Sequence, residues 1–361
     1  MKKSVLSLAG AVSVGVVALG LIGSSAAVAD PGSATDYRTY AAVGSDTTQS
    51  VWNGLANGTV SPSVASWDAF PPAPSATIQT KSSGPSFNRP QGSGAGVQAL
   101  SASFDASNHN YQGVDITNQV DFARSSSGAA KDGTDLTYLP FARDAVSLAV
   151  KTSAAGSVDV STQQLANIYS CVAGANTITV GTTTVTVNAK LPQASSGTRA
   201  FFLKAIGVAT PGSCVTTVGA ENDGGQLTAN GDVIPFSAAQ WIGQKNGVAT
   251  NTITNDEILA SVNTLAPTAG SGSSLTPGAL YGSTSAEPST AAGTFARDTY
   301  NVVTTAAYTS NSALATTVLK SDLKKPAAIN LIKSYGFLTL SYVGDPTVGA
   351  GLASHQSKFK H

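Results

Sequence analysis

One motif recurs along the chain: a short apolar run, a polar loop with glycine, then apolar residues at helical spacing. Tyr37 to Val43 reads as a strand ending at Gly44, and Thr47 to Leu55 places Val51, Trp52 and Leu55 on one helical face, with Ser45 or Asp46 available as a cap. Thr59 to Pro74, rich in Pro, Ser and Ala, reads as a surface excursion. A strand near Thr77 to Lys81 then leads to the loop Gly92-Ser93-Gly94-Ala95-Gly96, which opens onto Val97, Leu100 and Phe104. Gln119 to Ala123 is a third strand and runs into Arg124-Ser125-Ser126-Ser127-Gly128. Leu136 to Val150 is extended and largely apolar, and Ser161 caps a helix carrying Leu165, Ile168 and Tyr169. A fourth unit follows: the strand Val187 to Leu191, the loop Ala194 to Arg199, and a helical stripe of Phe201, Phe202, Ala205 and Ile206. Ser237 caps a helix with Trp241 and Ile242, and Pro326 opens one ending at Gly336. Strands alternating with helices predict α/β units with mixed, mainly parallel sheets.

The first 29 residues read as a targeting segment. Lys2 and Lys3 precede an apolar stretch from Val5 to Ile22, and Ala27-Val28-Ala29 offers a small-x-small cleavage pattern. Cleavage after Ala29 leaves a mature start at Asp30. The competing reading, a retained membrane anchor, meets a stretch near the spanning minimum of about 17 to 20 residues that is diluted by Gly10, Ser13, Gly15 and Gly20. No Cys follows the apolar run, so there is no lipoprotein attachment site, and the expected location is secreted, extracellular or cell-wall associated. An oxidising compartment suits a disulfide between Cys171 and Cys214, the only two cysteines, whose closed loop is worth about 4 kcal/mol by chain entropy. The mature length exceeds what one core usually organises. The expected division is a discontinuous domain of residues 36–143 plus 298–345, a second of 144–297, and a tail of 346–361. Phe141-Ala142-Arg143-Asp144 and Phe295-Ala296-Arg297-Asp298 repeat the same four letters, each before an extended run, as two crossings between domains would.

Composition narrows the chemistry. Of 361 residues, 20 Lys and Arg face 20 Asp and Glu, so the basic excess of a nucleic-acid binder is missing. Charged residues make up 11%, against roughly 25% in ordinary soluble domains, and Ser, Thr, Asn and Gln carry the polarity. His109, His355 and His361 are the only histidines, which supplies zinc ligation and His-based nucleophilic catalysis poorly. No metal, cofactor or catalytic constellation is expected. Ser321-Asp322-Leu323-Lys324 matches Ser-x-x-Lys without its partner motifs and reads as a surface turn. Gly92-x-Gly94-x-Gly96 lacks dinucleotide spacing, His109 reads as an exposed loop residue, and Trp52 and Trp241 lie on apolar helical faces and read as core.

Four Ser/Thr/Gly loops before helices suit an anion, because a helix start offers unpaired N–H groups and partial positive charge, and hydroxyls add donors. For any single loop, plain helix capping explains the same residues. The four loops, Val43-Gly44-Ser45-Asp46-Thr47-Thr48-Gln49, Arg89 to Gly96, Val120 to Ser126 and Ser196-Gly197-Thr198-Arg199, resemble in order and spacing the ligand loops of PstS-like phosphate-binding proteins. Leu139 to Val146, Gln164 to Tyr169 and Arg297 to Val303 resemble that family's crossing strands and second-domain helix. The resemblance implies a two-domain type II periplasmic-binding-protein fold that closes on inorganic phosphate or a related oxyanion, and a monomer serving ABC importer membrane subunits. The binding residues it implies are Ser45, Asp46, Thr47, Thr48, Ser93, Gly94, Arg124, Ser125, Ser126, Ser196, Gly197, Thr198 and Arg199. Two positions depart from the family: Ser126 stands where an Asp usually accepts the proton of hydrogen phosphate, and Pro192 where an Arg is usual. Asp46 is a substitute acceptor, or else a helix cap. The alternative function is an extracellular or cell-wall interaction protein that keeps this fold without tight phosphate binding.

Overall fold

The computed structural model describes residues 30–31, 36–58, 60–71, 76–128 and 135–348, so the targeting segment and residues 349–361 of the expected tail lie outside it. A mixed ten-stranded sheet organises the chain. Its strands, with the main helices between them, are β1 (Tyr40–Gly44), α1 (Gln49–Asn57), β2 (Val64–Ser66), α2 (Ser93–Phe104), β3 (Phe122–Ser125), β4 (Leu136–Lys151), α3 (Thr162–Tyr169), β5 (Asn188–Leu191), α4 (Gly197–Ala205), β6 (Thr216–Thr217), β7 (Asp232–Ser237), α5 (Ala238–Lys245), β8 (Glu257–Leu259), β9 (Ala296–Thr304), α6 (Pro326–Ser334) and β10 (Leu338–Thr339). The order is β6-β5-β7-β4-β9-β3-β1-β2, with β8 and β10 also paired to β4. Both flanks are parallel, β2-β1-β3 and β6-β5-β7, and the centre is antiparallel. This is the α/β architecture the alternation predicts.

Strand β4 ties the two flanks together. Its residues 136–145 pair with β9 and residues 146–150 with β7. Fifteen of its sixteen residues are buried, which suits the largely apolar run the sequence shows there; its Arg143 and Asp144 are buried in ion pairs. Helices cover each flank on both faces. Trp52 of α1 packs on Phe122 and Phe141 with ring centroids 5.0 and 5.6 Å away, and α2 covers the opposite face through Ala99, Leu100 and Ala102. On the other flank Tyr169 of α3 meets Phe202 of α4 at 4.9 Å, and Trp241 of α5 meets Phe236 of β7 at 5.4 Å. Cys171, just after α3, is bonded to Cys214, with Cα atoms 5.9 Å apart. Among the described residues no helix is long and apolar enough to cross a membrane.

Three helix starts follow the sequence closely. Ser161, Ser196 and Ser237 each accept the N–H of the third residue beyond, Gln164, Arg199 and Gln240. Pro326 opens α6, which ends at Ser334, two residues before Gly336. Helix α1 differs from expectation: it begins at Gln49, two residues late, because the Gln49 N–H closes a turn on the Asp46 carbonyl. Neither Ser45 nor Asp46 caps it, since Thr48 is the flanking residue and no side chain bonds the helix start. Gly44 and Gly96 stand back to back between the first loop and α2. A Cβ on Gly96 would lie 2.5 Å from the Gly44 Cα, and Gly44 itself has φ of 112°, so both positions need glycine for the two loops to meet.

Candidate functional site

The loops that precede α1, α2 and α4, with the loop after β3, converge where the two flanks meet. The Thr47 and Thr198 hydroxyls lie 3.3 Å apart, across 151 residues of sequence. The Ser93 and Ser126 hydroxyls are 3.2 Å apart, and the Ser126 N–H donates to Ser93 Oγ at 3.0 Å. The Gly94 N–H donates to the Ser195 carbonyl at 3.1 Å, and Ser195 Oγ donates to the Gln91 carbonyl at 2.6 Å. Gly197 lies against both serines: a Cβ there would press on the Ser126 and Ser93 hydroxyls and sit 3.1 Å from Ser93 Cβ. Thr47, Ser93, Ser126, Ser196, Gly197 and Thr198 therefore form one buried cluster. Ser125 turns back on its own loop and donates to the Ser127 carbonyl at 2.6 Å. Ser45 and Thr48 are buried, and their hydroxyls have no hydrogen-bond partner among the described residues.

The donors of this cluster point at a carboxylate that the sequence reading did not single out. Thr47 Oγ1 donates to Glu221 Oε1 at 3.0 Å, the Thr198 N–H donates to Glu221 Oε2 at 3.2 Å, and Ser196 Oγ donates to the same oxygen. Glu221 is thus held in an N-terminal turn of α4 by a backbone N–H and two hydroxyls, as an oxyanion would be. Asp46 faces it. Burial first, and then the Glu221 charge, push the Asp46 carboxyl well above the usual carboxylate range, and neither Asp46 oxygen meets a donor among the described residues.

The cation at the cluster is Arg297 of β9. Its Nη2 donates to Thr198 Oγ1 at 3.0 Å and reaches Thr47 Oγ1 at 3.4 Å, while Nε and Nη2 hold Asp144 Oδ2 at 3.0 and 2.8 Å. The four-letter echo explains the pairing. Antiparallel β4 and β9 set Arg297 opposite Asp144 and Asp298 opposite Arg143, so the repeats exchange two buried ion pairs. The signal that could have found Arg297 was that echo. Glu221 had none beyond its place before Asn222-Asp223-Gly224-Gly225.

The two arginines singled out from the loops sit elsewhere. Arg124 is fully buried and donates to the carbonyls of Ala42, Ser45 and Trp67 and to Ser66 Oγ, and burial lowers its guanidinium to about 10. It ties β1, β2 and the first loop together. Arg199 reaches back to the Pro192 carbonyl at 2.8 Å and Thr217 Oγ1 at 3.0 Å. Beside the cluster lies a chamber of about 600 Å³, lined by Asp46, Glu221, Gln49, Asn53, Gln240 and Gln244 among others. Among the described residues no group of three or more His, Cys, Asp and Glu is placed to hold a metal.

The sequence matches no family model and no curated protein. Solved structures do match. A putative phosphate ABC transporter substrate-binding protein with bound phosphate from Clostridium perfringens aligns over 84% of this chain and 99% of its own, at 11% identity and a TM-score of 0.51. A human phosphate binding apolipoprotein aligns over 83% and 91%, at 13% identity and 0.52. A DING protein does so over 83% and 91%, at 14% and 0.51. At these identities the likeness is one of fold, and the chain has the α/β fold of phosphate-binding proteins.

Proposed function

We propose that the protein is a secreted solute-binding protein that captures hydrogen phosphate or a related oxyanion where its two lobes meet, without covalent chemistry. One observation carries this reading: donors from the first and fourth loops close on an acidic group, Glu221, and satisfy it with two hydroxyls and a helix-start N–H. A site that holds a carboxylate this way offers the same donors to a phosphate oxygen, with the Arg297 guanidinium, paired to Asp144, donating to Thr198 and reaching Thr47. The Ser93 and Ser126 hydroxyls stand against Gly197 and complete the ring. The lobes are residues 36–143 with 298–345, and 144–297, and closing them around the ligand brings loop four onto loops one to three. Delivery to ABC importer membrane subunits follows by analogy with the proteins that share the fold. A second reading, an extracellular or cell-wall interaction protein without tight phosphate binding, is favoured by the commitment of Arg124 and Arg199 to backbone carbonyls.

Thermal unfolding of the mature protein, titrated with phosphate, sulfate, arsenate and a phosphate ester at constant ionic strength, separates the two. A ligand at 100 times its dissociation constant adds about 2.7 kcal/mol. Stabilisation by phosphate supports capture, and a curve that no anion moves supports the second reading.

A further inference from the structure

We infer that Glu221 is a tethered occupant of the anion site, and that it sets affinity and selectivity because an incoming oxyanion has to replace it. The inference rests on the capture reading above and concerns how that site is regulated. Thr47 Oγ1, Ser196 Oγ and the Thr198 N–H each carry a single hydrogen, and all three are directed to the Glu221 carboxylate. A phosphate oxygen cannot use them while Glu221 does. Nor is there room for both: Asp46 is already the second carboxyl of the pair, and a phosphate beside Asp46 and Glu221 would be a third acidic group in a buried place. Among the described residues the arginine touching the cluster is Arg297; its charge is paired with Asp144 through Nε and Nη2, although its buried Nη1 has no hydrogen-bond partner there, so an extra anion would meet a guanidinium already balanced.

The structure also provides somewhere for Glu221 to go. Glu221 lines the adjoining chamber of about 600 Å³, so a rotation of its side chain places the carboxylate there and bares the three donors. Asp46 then becomes the neighbour of the bound oxyanion. Occupancy by the internal carboxylate lowers the competent fraction of the protein, and the apparent dissociation constant rises by the inverse of that fraction.

Calorimetric titration of inorganic phosphate into the wild-type mature protein, Glu221→Ala and Glu221→Gln tests this, with circular dichroism and unfolding midpoints as the fold control. The expected result is phosphate affinity raised at least about tenfold in Glu221→Ala. Glu221→Gln, which keeps the volume and one acceptor without the charge, is expected to show a smaller rise, and it carries the test should Glu221→Ala fail to fold. Wild-type binding that is unchanged or weakened in the variants overturns the inference while the capture reading stands. Phosphate binding by none of the three proteins overturns the capture reading and this inference together.

Discussion

Replacing Asp144 by Asn tests whether the β4–β9 crossing is held by ions or only by packing. Asp144 is fully buried; Oδ1 accepts Ser237 Oγ at 2.9 Å and the Ala239 N–H at 3.1 Å, and Oδ2 accepts Nε and Nη2 of Arg297 at 3.0 and 2.8 Å. Asparagine keeps the shape and the bonds at Oδ1. Its amide NH2, however, would face the two Arg297 donors and leave a guanidinium buried without its counter-ion. For charge centres near 4 Å the lost attraction is about 4 kcal/mol at an effective dielectric of 20, and removing one member of a buried pair typically costs about 3 to 5 kcal/mol. Urea unfolding at pH 7, followed by tryptophan fluorescence, is the assay, with Arg297→Gln and the double variant completing a cycle. A coupling energy of at least about 2 kcal/mol is expected. An Asp144→Asn loss under about 1 kcal/mol, or additive single losses, refutes the ionic account. At the sister pair, burial pushes the Asp298 carboxyl up despite Arg143 and Tyr342, so Asp298→Asn relieves part of that cost and destabilises less.

Two further outcomes follow from the same packing. Asp68, beside Asn53, is raised by burial from 3.8 to about 6, so between those values the unfolded chain binds fewer protons than the folded one. Stability therefore falls as pH rises from 4 to 7, by up to about 3 kcal/mol from this group, and unfolding curves of Asp68→Asn across that range should be flatter by that amount. Gly197→Ala places a methyl against the Ser93 and Ser126 hydroxyls. It should weaken phosphate binding at least about tenfold in titration while costing about 1 to 3 kcal/mol of stability; unchanged affinity would separate Gly197 from the site.

The sequence was most legible where local rules and burial agree. The Ser caps of α3, α4 and α5 appear where the hydroxyl precedes an apolar stripe, because the cap bond is local and the stripe is what the sheet covers. The long run of β4 was equally clear, since a strand buried on both faces has no solvent side and its Arg143 and Asp144 are held in ion pairs. Helix α1 started late because a turn at Asp46 competes with the cap, and nothing within nine residues reveals that Asp46 will be drawn toward Glu221, 175 positions away. The same non-locality hid the roles of the arginines. A guanidinium in a polar loop suggests an anion contact, yet Arg124 is fully buried and its donors go to the carbonyls of Ala42, Ser45 and Trp67 and to Ser66 Oγ.

The distribution of charge bears directly on the proposed anion site in so neutral a chain. At the cluster the guanidinium of Arg297 is balanced by Asp144, and burial, then the Glu221 charge, push the Asp46 carboxyl well above the usual carboxylate range. Glu221 is held by donors whose positive ends are fractional: one N–H at a helix start and two hydroxyls. Donors of this kind stabilise one negative group well and two badly, because they supply directed hydrogen bonds and no mobile counter-charge. Exchange of Glu221 for dihydrogen phosphate keeps the charge of the cluster constant, whereas exchange for hydrogen phosphate, a dianion, adds one negative charge. Under the proposed exchange, selectivity is governed by the charge and proton count of what enters, and the competitor of every ligand is Glu221.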